Sequence, residues 1–345
     1  MNTPLNARKP RASTQQKALE FNLDPLVYGS LAEIGAGQEV ARHFFQAGGA
    51  SGTIAKTTSA YDMRFSDAIY GADSTGRYVT RERLVRMLDH EYALIIERVA
   101  LTRNPESRYF VFADTVAARR FGVESEDHGW LGMLFQHAAG AVPSRVILHV
   151  RLFDTTNQEQ QAALGVLGVN LIDSCFRYHD DPDQLVDSLT ENLAWGRVEI
   201  DSIELDGPAF IGVDRCAVAL RLVSSSQGPV VVFSPEGRIE RPSDVLYRKV
   251  PLIIRGTFRP FTNVHLDMIA RGREGLAAEL GVRPESVVVF CEMNIARHLY
   301  EGVDEVSDLQ ARVEMINALG MHAMVTSHLR FFRLSEYFQR HALQR

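Results

Sequence analysis

Between 250 and 345 the chain alternates short apolar runs with helix-forming segments, and this alternation limits the fold more than any other feature. The runs at 252–254, 287–291 and 322–326 are each followed by a helical segment, at 265–280, 307–319 and 331–341. Strand followed by helix, three times over, predicts parallel strands joined by right-handed crossovers. The expected result is half of a doubly wound sheet, a Rossmann-like unit at the C-terminus. In such sheets ligands lie at the carboxyl ends of the strands. Polar residues cluster at those ends: Glu292, Asn294 and Arg297 after the second run, and Ser327, His328 and Arg330 after the third.

The first of these strand ends carries the most chemistry. The apolar run 251–254 is long enough for a buried strand. Gly256 permits a tight turn, Pro260 blocks an early helix, and Thr262 or Asn263 is suited to cap the helix opening at His265. A strand, a glycine turn and a helix N-terminus together favour phosphate, because unpaired N–H groups and the helix dipole point at it.

Those same residues, Gly256-Thr257-Phe258-x-Pro260-x-Thr262-Asn263-x-His265-Leu266-Asp267, resemble the first motif of the HxGH nucleotidyltransferases. That family includes the nicotinate-nucleotide and phosphopantetheine adenylyltransferases. The resemblance implies adenylyl transfer from ATP with Mg²⁺ to a mononucleotide. His265 and Thr262 would stabilise charge at the α-phosphate. Gly256, Thr257, Phe258 and Asn263 would line the phosphates, with Arg255, Arg259, Arg297 and Arg330 as guanidinium partners. The sequence departs from the motif at Val264, where the family has glycine, and at Arg259, where it has an acid. The family's second motif, I-S-S-T-x-x-R, has no counterpart here. More broadly, including 44–70 and 128–153, the chain resembles a bacterial family often labelled nicotinate-nucleotide adenylyltransferase.

A chain of 345 residues with 46% hydrophobic and 23% charged residues is sized for two globular domains. The formal net charge of −6 gives no basic footprint for nucleic acid, and no apolar run is long enough for a membrane span. Cys175, Cys216 and Cys291 are far apart with no C-x-x-C spacing, as expected of core thiols in a reducing, cytoplasmic compartment. His128, His137 and His149 lack metal-ligand spacing, so no metal site is expected.

The remaining residues divide into an expected disordered tail at 1–20 and an α/β domain at 21–244, with 242–249 as a linker into the unit at 245–345. The fold expectation is thus a Rossmann-like parallel-sheet unit packed on an N-terminal α/β domain. Within 21–244, 31–37 reads as a strand ending in a glycine turn, with a helix at 38–46, and a continuous helix over 31–45 is equally open because Ala and Glu favour it. Glu33-Ile-Gly-Ala-Gly37 also resembles the glycine loop of S-adenosylmethionine-dependent methyltransferases, although it lacks a third glycine. Residues 46–53 read as a glycine-rich loop before Lys56. Helices are expected at 77–101, 158–176 and 182–194. Strands are expected at 109–113, 130–136, 145–153, 198–205, 217–223 and 229–233.

Three functions stay open on the sequence. One is a nucleotidyltransferase acting on a small-molecule nucleotide. The second is a catalytically inactive nucleotide-binding or scaffold protein using the same crevice. The third is an enzyme with its site in the N-terminal domain, around Lys56, Asp62 and Asp114. A homo-oligomeric state is compatible with each. In a purely structural corner Val264 would pack on the sheet; in a live site it would crowd the phosphates.

Overall fold

The computed structural model describes residues 12–35, 37–73, 76–117, 127–247, 249–295 and 305–342. In chain order the helices are α1 (Thr14–Asn22), α2 (Glu39–Ala47), α3 (Met63–Tyr70), α4 (Arg81–Val99), α5 (Asn157–Arg177), α6 (Pro182–Ser188), α7 (Arg215–Ser224), α8 (Pro242–Leu246), α9 (Asn263–Leu280), α10 (Glu305–Ala318) and α11 (Phe331–Ala342). The strands are β1 (Val27–Ile34), β2 (Ile54–Thr58), β3 (Arg108–Ala117), β4 (His128–Phe135), β5 (Ser144–Leu152), β6 (Val198–Asp206), β7 (Val230–Phe233), β8 (Ile239–Glu240), β9 (Val250–Arg255), β10 (Val287–Asn294) and β11 (His322–Thr326). The α/β class expected from the sequence holds. The described residues form two compact units: those within 1–147 together with 151–198 and 205–211, and those within 212–345 together with 148–150 and 199–204. Position 244 lies inside the second.

The first sheet runs β2-β1-β3-β4-β5-β6. β1 pairs in parallel with both β2 and β3, and β3 pairs antiparallel with β4. The apolar stripe of α4, Leu84, Met87, Leu88 and Ile95, packs on one face with Tyr109, Val111 and Ala113 of β3. Thr80 caps α4 by accepting from the Arg83 N–H. The segment expected as a disordered tail is ordered from α1 onward. Ser13 and Gln16 form a capping box at its start, and the buried Lys17 fixes it. The Lys17 ammonium reaches Asn170 (2.9 Å) and Glu191 (2.8 Å) and lies 3.7 Å from Asp173. A buried ammonium needs such partners.

The second sheet runs β8-β7-β11-β10-β9. β9, β10 and β11 are parallel neighbours in consecutive order, as the alternation predicts. The sequence did not reveal that β7 adds antiparallel to β11 and β8 to β7. Two further segments differ from expectation. Residues 217–223, expected as a strand, belong to α7, because the Asp214 carboxylate caps the N–H groups of Cys216 and Ala217. Residues 242–249, expected as a linker, contain α8, with Pro242 in its first turn and Leu246 buried. The buried residues of β10 alternate between two cores. Val289, Cys291 and Met293 pack with Ile269, Leu309 and Val313, while Phe290 packs with Met324, Leu334 and Phe338.

Candidate functional site

The resemblance places the site where β9 turns into α9. The ladder continues one residue past β9, with the Gly256 N–H donating to the Glu292 carbonyl (3.0 Å). The chain then reverses through Phe258, a non-glycine residue at φ 51° with its ring buried. That ring stacks on Phe261 (centroids 5.3 Å apart, planes 20°) and meets the His265 ring edge-on at 5.3 Å. A Cβ on Gly256 would come within 3.1 Å of the Phe258 ring, so glycine here makes room for that ring.

Thr262 is the N-cap of α9, and His265 sits in the first turn. The Thr262 N–H donates to His265 Nδ1 (3.0 Å), and Thr262 Oγ1 lies 2.8 Å from the same nitrogen. With Nδ1 accepting, the neutral ring carries its proton on Nε2, as a donor. Thr257, Thr262 and Asn263 are exposed. Val264 is 67% exposed, so it does not pack on the sheet as it would in a purely structural corner. No acidic side chain stands in the first turn of α9. Gly256, Phe258, Thr262 and His265 are therefore brought together as the motif implies, with Asn263 opening the helix.

The arginines are placed differently. Arg255 bonds both oxygens of the buried Glu292 and donates to the His328 (2.8 Å) and Leu329 (3.0 Å) carbonyls, beneath the Phe331 ring. Glu292 also accepts from Thr326 Oγ1 (2.5 Å). Arg259 pairs with Asp308 (2.5 Å), which Arg312 bonds as well. Burial pushes the Asp308 carboxyl up, but the two guanidinium groups outweigh it and hold it below its ordinary value. Arg330 is exposed before α11, and Arg297 lies outside the described residues. Two of the four expected phosphate partners are thus already neutralised by carboxylates.

No protein-family model matches this chain, and no curated protein sequence does. Among solved structures it is similar to the competence/damage-inducible protein CihA from Agrobacterium tumefaciens. That likeness has 17% identity over 46% of this chain and 93% of that one, with a TM-score of 0.35. It is also similar to CinA superfamily proteins from Enterobacter cloacae, at 10% identity over 51% and 99% of the two chains, and from Klebsiella pneumoniae, at 9% over 48% and 98%. Their TM-scores are 0.35 and 0.34. Likeness at this level assigns no site.

A second strand–turn–helix corner lies in the N-terminal unit, from β1 to α2. Gly35 has φ 98°, and a Cβ there would meet the Val116 carbonyl at 2.0 Å, so the close approach of β3 requires glycine. Glu33, at the end of β1, turns into the opening of α2. Its two oxygens accept from the N–H groups of Val40 and Ala41, each at 3.0 Å. Asp114 is the partner of Glu33 across the parallel β1–β3 ladder and accepts from the Ile34 N–H (3.0 Å). Burial raises the Glu33 carboxyl to about 7. Burial and the Glu33 charge raise Asp114 well above its ordinary value. The N–H groups at the opening of α2 are thus held by the chain's own carboxyl group.

The three residues of the N-terminal enzyme reading are engaged separately. Lys56 pairs with Glu91 (2.5 Å), which also accepts from the Tyr70 hydroxyl (2.8 Å). Asp62 caps α3 at the Phe65 N–H (2.8 Å). Lys56 lies on β2, in what reads from the sequence as the end of a flexible loop. His149 is buried against Asp201 (2.5 Å). Among the described residues no group of three His, Cys, Asp or Glu side chains is placed to hold a metal ion. None of the described helices is long and apolar enough to cross a membrane.

Proposed function

We propose that the C-terminal unit binds a nucleotide by its phosphates at the opening of α9, and that it transfers adenylyl from ATP as the sequence resemblance implies. The observation that carries this reading is the open first turn of α9. An 18-residue helix begins at the carboxyl edge of parallel strands with no acid in its first turn. Its first-turn N–H groups and dipole favour an anion. His265 adds an Nε2–H donor, held in that tautomer by the Thr262 N–H. A preorganised donor of this kind stabilises charge developing at an α-phosphate. The described residues offer no three-ligand metal group, so Mg²⁺ enters this proposal only as a companion of ATP.

A second reading, nucleotide binding without turnover, is favoured by the Arg255–Glu292 and Arg259–Asp308 pairs, which leave those guanidinium groups little charge for a transition state. Calorimetric titration with ATP, followed by pyrophosphate release from ATP and nicotinate mononucleotide, separates the two. Saturable binding with release supports the transferase. Saturable binding alone supports the binding module, and no binding removes both.

A further inference from the structure

His137 and His179 meet in the N-terminal unit, the first in the turn after β4 and the second just past the end of α5. Their ring centroids are 5.8 Å apart and their planes are inclined by 43°, so the rings are not stacked. In both, Nδ1 is buried and meets no hydrogen-bond partner. A buried polar atom left unpaired calls for a physical reason, and here two such atoms belong to neighbouring rings. Both segments are held in place. The Gln136 side chain accepts from the Tyr109 N–H (3.0 Å) and donates to the Ala141 carbonyl (2.8 Å), which fixes the turn that carries His137. Phe176, in the last turn of α5, packs on Phe135 of β4 with centroids 5.6 Å apart, and the Tyr178 N–H closes the helix on the Ser174 carbonyl (2.9 Å). The pair reaches solvent: both histidines are only partly buried, and Ala138, Ala139, Gly140 and Asp180 beside them are exposed.

The surroundings favour a cation. His179 follows the C-terminus of a 21-residue helix, where the dipole is negative. Residues 178–188 contain Asp180, Asp181, Asp183 and Asp187 and no Lys or Arg. We propose that His137 and His179 bind one divalent ion of the Zn²⁺ and Cu²⁺ class through their Nδ1 atoms, with water completing the shell. With the proton on Nε2, each Nδ1 offers a lone pair. Two imidazole nitrogens about 2.0–2.1 Å from one ion in tetrahedral geometry set their ring centres roughly 5–6 Å apart, which matches this pair. Imidazole suits Zn²⁺ and Cu²⁺, whereas Mg²⁺ and Ca²⁺ seek oxygen ligands. Two protein ligands leave the other positions to water, so the ion exchanges freely, unlike one in a closed four-ligand structural site. When bound, it ties the turn after β4 to the end of α5. Spacing along the sequence does not disclose the site, because its two histidines come from different elements. The inference is independent of the nucleotide reading.

The experiment titrates the metal-free full chain and its His137→Gln and His179→Gln variants with Zn²⁺ and Cu²⁺ by calorimetry, with Mg²⁺ as a control, and records melting temperatures with and without Zn²⁺. We expect one Zn²⁺ per wild-type chain, a melting temperature raised by Zn²⁺, and Cu²⁺ bound more tightly than Zn²⁺. Mg²⁺ should not bind the pair. Each variant should weaken Zn²⁺ binding by about 10-fold or more, since even a supporting residue of a metal site is worth about 10–100-fold in affinity. It should also lose the rise in melting temperature, while His43→Gln, outside the pair, binds as wild type does. Electron paramagnetic resonance of the Cu²⁺ form should show coupling to two imidazole nitrogens in wild type and to one in each variant, a readout that stability alone does not move. Absence of Zn²⁺ binding by wild type overturns the inference. Equal binding by wild type and both variants also overturns it, as it marks an adventitious ion only. If neither variant folds, a wild-type Cu²⁺ spectrum with fewer than two imidazole nitrogens still sinks the assignment.

Discussion

The β1–α2 and β9–α9 corners are built from the same parts and end differently. In each, a parallel strand passes through a turn containing glycine into a helix N-terminus. At β1–α2 the Glu33 carboxylate reaches the N–H groups of Val40 and Ala41. At β9–α9 no acid stands in the first turn, and Thr262, Asn263 and Val264 face solvent. A helix N-terminus is thus a binding site only where the protein has not supplied its own anion. A Gly-x-Gly pattern does not report that, because the deciding carboxylate projects from the preceding strand.

The largest test removes the internal anion. Glu33→Ala should destabilise the protein by about 2–4 kcal/mol at pH 8, where the Glu33 carboxyl is ionised, since it strands two buried donors and leaves a cavity. Formate should restore part of the lost melting temperature of this variant and none of wild type's. Failure of formate to do so would break the view of α2 as a filled anion site. An effect of about 10²–10³-fold on turnover is expected for His265→Ala if pyrophosphate release is observed, from loss of one charge-stabilising donor. Its Thr262 cap is lost too, at about 1 kcal/mol in chemical denaturation.

The pH dependence of the closed corner is intermediate in size. Glu33 titrates near 7 and Asp114 is also raised, so the folded state holds their proton more tightly than the unfolded chain does. This contribution to stability is fully present below the ordinary carboxyl range and is lost as pH rises through about 7. Wild type should lose melting temperature between pH 5 and 8, and Asp114→Asn should lose less. Parallel curves would show that the pair does not set the slope.

The smallest effect fills the open corner. Val264→Asp places an acid in the first turn of α9 and should stabilise the helix by about 0.3–1 kcal/mol through the dipole. It should weaken ATP binding at the same time, by like charge. Unchanged ATP affinity with a raised melting temperature would place the nucleotide elsewhere.

Much of this comparison was legible in the sequence, because it rests on local signals. Strand–glycine–helix order at 250–280, the Thr80 cap and the parallel alternation of the C-terminal unit all follow from residues close together in the chain, whereas at 31–46 the same local signals fit a strand and helix or one continuous helix. The misreadings arise from particular competitions. Residues 217–223 satisfy alternation, but Ala219, Leu220 and Val223 also satisfy helical spacing, and the Asp214 cap settles the matter. α1 was hidden because its burial depends on Lys17 meeting residues far along the chain. The candidate site was half legible. Thr262 and His265 meet across three residues, whereas the Arg255–Glu292 pair spans 37 and the Asp114 contact with the Ile34 N–H spans 80. No local pattern announces that an arginine suited to phosphate is already committed.

The buried Lys17 also bears on how the N-terminal unit is made. α1 leaves the ribosome before the partners of its Lys17 ammonium, Asn170 and Glu191, which follow only 153 and 174 residues later. At about 5–20 residues per second that interval is roughly 10–35 s. During translation α1 is therefore a segment awaiting its counter-charges, exposed to chaperones and proteases until the chain beyond residue 191 has emerged.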